Sequence, residues 1–131
     1  MPRIRHVAIT ATDIRKTADF YRDVMGLEEV GTHPLGPVFL SDGYLSLVII
    51  PPKKDTDPDV GNAGPGYLGV HHIGFQVEDL DTLSEAMNDA GARLVDDGSR
   101  YAVAEGLFEY KWADPDGVVF DISTTGWRGA R

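Results

Sequence analysis

One alternating pattern of apolar and polar residues occurs twice along the chain. Arg5-His6-Val7-Ala8-Ile9-Thr10-Ala11-Thr12-Asp13-Ile14 aligns without a gap on His71-His72-Ile73-Gly74-Phe75-Gln76-Val77-Glu78-Asp79-Leu80, with His6 matched to His72, an offset of 66. Alternation with a period of two predicts a strand with one face toward a core. A helical stripe follows each copy. Ile14, Ala18, Tyr21 and Met25 recur at helical spacing before Gly26, and Leu80, Leu83, Met87 and Ala90 do so before Gly91. Thr12 or Asp13, and Asp79, are natural N-caps. The spacing therefore predicts helices over 14–25 and 80–90.

Short apolar runs come next. The first half reads as strands over 27–32, 36–41 and 44–50, with Asp42-Gly43 as a hairpin turn. The second half reads as strands over 93–96, 107–113 and 118–123, with Asp114-Pro115-Asp116-Gly117 as the matching turn. Pro51 to Gly69 is rich in Pro, Gly and Asp and reads as a linker. The expectation is one α+β domain over 1–131: a βαβββ module at 1–50, a linker at 51–69 and a second module at 70–131, sharing mixed sheets. An extended linker reaches about 3.3 Å per residue, so the modules can meet within one chain or across a dimer.

A chain of 131 residues can bury a core without staples, and it has no cysteine for disulfide or thiolate chemistry. That fits a reducing compartment, and the expected location is the cytoplasm. No apolar run approaches the roughly 20 residues of a membrane span. Met1-Pro2-Arg3-Ile4-Arg5 leads straight into the first strand, which predicts no signal peptide. The net charge of −9 disfavours binding to nucleic acid and leaves small molecules as the expected partners.

Strand alternation then sorts the chemistry. Val7, Ile9 and Ala11 share one face of the first strand, and His6, Ala8 and Thr10 share the other. In the second copy Ile73, Phe75 and Val77 oppose His72, Gly74 and Gln76. The same position thus carries His in both copies, on the face away from the helix. A small neighbour, Ala8 or Gly74, leaves room above the strand. In the last strand Phe120 and Ile122 form the apolar face, and Asp121 shares the other with Val119. A carboxylate in the middle of such a strand is costly unless it is paired or binds metal. His6, His72 and Asp121 are therefore the candidate metal ligands, two imidazoles and a carboxylate forming an open facial triad. Counting from the first hairpin places Leu47 opposite Asp121; a one-residue slip offers Ser46. His71 faces away by alternation, and His33 lies in a loop where it is expected to be exposed, though the loop can reach inward. Thr10, Gln76 and Lys111 are the candidate substrate contacts.

These residues resemble the vicinal oxygen chelate superfamily, the glyoxalase/bleomycin-resistance/extradiol-dioxygenase group. The resemblance rests on His6-Val7-Ala8 before Asp13-Ile14, and on Phe20-Tyr21-Arg22-Asp23-Val24-Met25-Gly26-Leu27. It continues in His72-Ile73-Gly74-Phe75-Gln76-Val77 before Asp79-Leu80, and in Asp114-Pro115-Asp116-Gly117 through Asp121-Ile122. It covers nearly the whole chain. It implies a half-open cup around one divalent ion (Fe, Mn, Zn or Ni) on His6, His72 and Asp121, and a homodimer. The family more often has Glu at the last of these positions, and isomerase members add a Glu or Gln in the slot read here as Leu47. That absence fits the dioxygenase branch and the fosfomycin-inactivating transferases, which use three protein ligands. An acidic protein is a poor host for an anionic phosphonate, so a dioxygenase is favoured, with a glyoxalase- or epimerase-type lyase or isomerase as the second reading. A metal-free protein that sequesters a cationic drug is the third, supported by the acidic charge alone.

Overall fold

The computed structural model describes residues 1–97 and 106–130. The chain runs β1 (Arg3–Thr10), α1 (Ile14–Asp23), β2 (Glu28–Thr32), β3 (Val38–Ser41), β4 (Ser46–Ile50), β5 (Gly69–Gln76), α2 (Leu80–Asp89), β6 (Arg93–Asp96), β7 (Tyr110–Ala113) and β8 (Val119–Ser123). Both helices begin on the aspartates expected to cap them. Asp13 accepts the Lys16 N–H at 3.0 Å, and Asp79 accepts the Thr82 N–H at 3.0 Å. Each ends before a glycine held at positive φ, Gly26 at 78° and Gly91 at 96°. Met25 and Ala90 fall beyond the helices and are exposed. Leu27 instead completes the cluster around Ala18, Leu40 and Ile49.

The eight strands form one open mixed sheet in the order β2-β3-β4-β1-β5-β8-β7-β6. Within each module the first strand pairs in parallel with the last, β1 with β4 and β5 with β8. The modules join through antiparallel β1 and β5, where His6 pairs with Gly74 and Ala8 with His72. Val7 opposite Ile73 therefore marks a pseudo-twofold axis, because those two positions are also equivalents in the repeat. The symmetry brings His6 and His72 together on one side of the sheet.

The helices cover the other side. Ile9 packs in the α1 cluster, while Phe75, Phe120 and Ile122 pack in the α2 cluster with Leu83 and Met87. That sorting follows the strand alternation. Burial along β1 is less even than expected. The helices lie toward the outer strands, so Val7 and Ile9 are only half-buried and Ile4 is exposed, whereas His6, Ala8 and Thr10 on the cup side are buried. Among the described residues no helix is long and apolar enough to cross a membrane.

Three local features depart from the sequence pattern. The stretch 51–68 is more than a tether: its Asp59 is 1% exposed and faces Lys53 and Lys111. β7 starts at Tyr110 rather than near residue 107, because Phe108 donates its N–H to Thr125 Oγ1 at 3.0 Å and Glu109 is drawn toward Trp127. The C-terminal stretch turns back across the cup, where the Ser41 hydroxyl donates to the Gly129 carbonyl at 2.9 Å.

Candidate active site

His6 and His72 meet across the β1–β5 seam, with their Nε2 atoms 3.2 Å apart. Asp121 enters from β8, where it pairs with Gly74, and its Oδ2 lies 3.0 Å from His72 Nε2. One ligand atom from each of the three residues lies within 4.8 Å of the others, and all three residues are buried. Two donors about 2.1 Å from an ion and at right angles to each other stand about 3.0 Å apart. The His6–His72 and His72–Asp121 spacings match neighbouring positions around a divalent ion, and the N, N, O donor set suits one. All three groups come from one chain.

The surroundings prepare these groups for that role. Burial pushes the His6 imidazole well below the usual histidine range, with the adjacent His72 and Lys111 adding to the effect, so its ring is neutral. Its Nδ1 lies 3.2 Å from Ser46 Oγ, leaving Nε2 to face the centre. Burial alone would raise the Asp121 carboxyl, but His72 and Lys111 outweigh it and hold the group well below the carboxylate range. The Lys111 ammonium lies 3.2 and 3.1 Å from the two Asp121 oxygens, 3.5 Å from Asp59 and 3.6 Å from Glu109. Burial opposes its charge, yet these three carboxylates raise its pKa.

His71 differs from the expectation. The β1–β5 register skips it, passing from Ala8 opposite His72 to Ile9 opposite Val70. That bulge swings its ring back against His72, with Nδ1 atoms 2.7 Å apart. Alternation fails at a bulge, so His71 backs a candidate ligand instead of facing away. Burial and the neighbouring His72 push it down to about 4.

The fourth-ligand slot also needs correction. Ala8 pairs with Val48 as Gly74 pairs with Asp121, so Val48, not Leu47, is the equivalent of Asp121. The miscount comes from the hairpins. Asp42 donates its N–H to the Leu45 carbonyl, three positions on, and Asp114 to the Val118 carbonyl, four positions on. Glycine thus marks different points of the two turns. Val48 has no donor atom, so the number of candidate ligands among the described residues stays at three.

A cavity of ≈ 240 Å³ opens beside the triad. Module one supplies an apolar wall that includes Leu35, Phe39, Val48 and Ile50, with His33 in the loop before β3. Module two supplies His72, Glu109 and Lys111, and the connection adds Lys53. Of the candidate substrate contacts only Lys111 lines this space. Thr10 is buried and donates to the Tyr67 carbonyl at 2.6 Å, which pins the connection. Gln76 accepts from Arg5 Nη1 at 3.3 Å. The room expected above Gly74 is filled by Trp127. A Cβ at Gly74 would lie 2.7 Å from that ring, which stacks on His6 at 4.7 Å and 3°. Asp59 and Trp127 lie outside the two repeats' strand patterns; Glu109 falls in the strand expected over 107–113, on the alternation face of Lys111, but just ahead of the observed β7.

Comparison with known proteins adds a second line of information. The family model of the Glyoxalase/Bleomycin resistance protein/Dioxygenase superfamily matches residues 3–122. The chain is 30% identical over 111 residues to an ethylmalonyl-CoA/methylmalonyl-CoA epimerase of Cereibacter sphaeroides, covering 79% of this chain and 82% of that protein. It is also 30% identical over 93 residues to the mitochondrial methylmalonyl-CoA epimerase of Mus musculus, covering 66% of this chain and 51% of the relative. Among solved structures, a Streptomyces coelicolor methylmalonyl-CoA epimerase in complex with 2-nitronate-propionyl-CoA superposes with a TM-score of 0.70 at 25% identity, over 92% of this chain and 95% of the other. The 2,3-dioxygenase LapB of Pseudomonas sp. KL28 shares the fold at a TM-score of 0.67 and 18% identity, over 98% of this chain and 42% of that one.

Proposed function

Because the chain belongs to the Glyoxalase/Bleomycin resistance protein/Dioxygenase superfamily, we propose that it is a divalent-metal-dependent enzyme of the epimerase or isomerase type, moving a proton on the carbon next to a carbonyl group. The observation that carries this reading is the convergence of His6, His72 and Asp121 at ligand spacing beside the cavity. The curated relatives named above are epimerases. A dioxygenase is not supported: the three-ligand count alone points to it, and the likeness to a dioxygenase, at 18% identity, extends to the fold alone.

The chemistry follows from what the residues offer. His6, His72 and Asp121 would hold the ion and leave its remaining positions for water and substrate oxygens. A bound divalent ion supplies Lewis acidity that stabilises negative charge growing on a carbonyl oxygen. The apolar module-one wall would limit the water around a carbon held against it. Lys53 and Lys111 place two ammonium groups on the far wall, inside an ion-pair network with Asp59, Asp121 and Glu109, and their N–H groups suit a substrate bearing a carboxylate near its carbonyl. A short acyl thioester with a carboxylate on the adjacent carbon has that arrangement, and methylmalonyl-CoA is the probe of choice.

The test is isotope exchange. Protein loaded separately with Mn, Co, Zn, Ni or Fe(II) is incubated with methylmalonyl-CoA in D2O, and deuterium at the α-carbon is measured by mass spectrometry. Metal-dependent incorporation above the protein-free rate is expected. Incorporation no faster than the control with every metal would contradict the proposal.

A further inference from the structure

Proton abstraction needs an acceptor that reaches the substrate without being spent on the metal. Glu109 is the one carboxylate lining the cavity among the described residues, since Asp121 lies beneath the surface at 1% exposure. It stands outside the His6, His72 and Asp121 cluster. Its side chain is 12% exposed, enough to meet a bound ligand while largely shielded from solvent.

Glu109 is also held in place. Trp127 donates its indole N–H to Oε2 at 2.8 Å, and Oε1 lies 3.6 Å from the Lys111 ammonium. Trp127 is fixed in turn by its stack on His6. One ring therefore ties the carboxylate to a candidate metal ligand, a fixed relation that proton transfer at a metal-bound substrate requires. Burial raises the Glu109 carboxyl, toward the range where a carboxylate is a useful base.

The repeat shows that this polarity belongs to module two alone. Phe39 pairs with Val48 as Lys111 pairs with Asp121. Two residues before each, Pro37 takes the position equivalent to Glu109. Three apolar side chains in module one thus replace the base, the ammonium and the carboxylate ligand. Lys111 is held protonated by three carboxylates and is no acceptor. Among the described lining residues His33 and Lys53 are the remaining rivals; His33 Nδ1 already accepts the Leu35 N–H at 3.1 Å, and the Lys53 ammonium lies 2.9 Å from Asp59.

We infer that Glu109 is the general base of the reaction proposed above and that Trp127 positions it; the inference rests on that reading. In the forward step the substrate C–H bond breaks and its proton forms an O–H bond with Glu109. The C–H electron pair becomes the C=C bond of the enolate, and the carbonyl π pair moves onto oxygen. In the reverse step Glu109, after exchange with solvent, gives a proton back to carbon, which is the exchange the assay reads; inversion requires protonation on the opposite face of the enolate.

The experiment compares wild type with Glu109→Gln, Glu109→Asp, Trp127→Phe and His33→Gln in the α-deuterium exchange assay, with metal content and melting temperature measured on each. Glu109→Gln should lower kcat for exchange by roughly 10²–10⁴-fold, with KM within a few-fold and metal content unchanged. Glu109→Asp should recover part of that loss. Trp127→Phe should lower kcat by a smaller factor. If wild type exchanges the proton and Glu109→Gln keeps a rate within about threefold of it, or if His33→Gln alone abolishes exchange, the assignment of Glu109 is overturned while the proposed reaction stands. If wild type itself exchanges nothing with any metal, the proposed reaction fails and the assignment fails with it.

Discussion

Lys111→Met separates the ammonium's two effects. Lys111 is buried, with Asp121, Asp59 and Glu109 around it at 3.1, 3.5 and 3.6 Å. Removing it leaves three buried carboxylates with one positive charge fewer, and breaking such a pair costs about 3–5 kcal/mol in metal-free protein. The effect on metal has the opposite sign. Nζ is 3.1 Å from Asp121 Oδ2, and an ion ligated by that oxygen at about 2.1 Å therefore lies no more than about 5.2 Å from the ammonium. At an effective dielectric of about 20, a unit charge repels a divalent ion at that distance by about 6 kcal/mol. Even a third of this, about 2 kcal/mol, corresponds to roughly thirtyfold in affinity. Urea unfolding of metal-free protein should show the loss, and calorimetric titration with Mn or Zn should show tighter binding by at least tenfold. Unchanged or weaker affinity, in a variant shown to be folded, would refute an ion held on Asp121.

Three further outcomes follow from the same geometry. His6 lies well below its ordinary range and His71 is pushed down to about 4, so folded protein keeps both neutral where unfolded histidines take up protons at about 6.5. Their contribution is present above about pH 6.5 and is lost as pH falls toward 4; the part from His71 is at most about 3 kcal/mol, reduced by its partial exposure. Urea unfolding of metal-free protein between pH 7 and 4.5 measures it, and flat stability across that window contradicts it. Gly74→Ala would place a Cβ 2.7 Å from Trp127 and 2.9 Å from His6 Cβ, so it should cost about 1–3 kcal/mol in chemical unfolding, and a neutral effect would mean that the ring moves freely. Ile4 and Val70 are exposed on the central strands at 48% and 55%, which favours pairing of two copies; light scattering at high micromolar concentration should give twice the 14.3 kDa chain mass, and a clean monomer would exclude the dimer.

Much of this architecture was legible in the chain because it rests on local periodicity. The offset between His6 and His72, the caps at Asp13 and Asp79, and the alternation in β1, β5 and β8 place three candidate ligands on one face. Reading failed where local rules break. The bulge at His71 cancels alternation, and the unequal hairpins before Val48 and Asp121 shift the count by one. Trp127 reaches Glu109 from beyond the last strand, and Asp59 reaches Lys111 from a stretch with the composition of a linker. Such contacts are set by the path of the chain over the cup, and no spacing in the sequence encodes them. Gly74 has a further lesson: a glycine beside a site leaves space, yet here the space receives a tryptophan.

The most direct test of the centre is the metal content of the purified protein. Wild type, His72→Ala and Asp121→Ala are prepared without chelator or affinity-metal contact, reconstituted with one ion at a time, and measured by elemental analysis, with circular dichroism to confirm folding. Wild type should retain about one equivalent. Each variant should retain almost none, since two ligands rarely hold a first-row ion against water. Folded wild type that cannot be loaded with any divalent ion, or variants that bind as much as wild type, would contradict a metal centre on His6, His72 and Asp121.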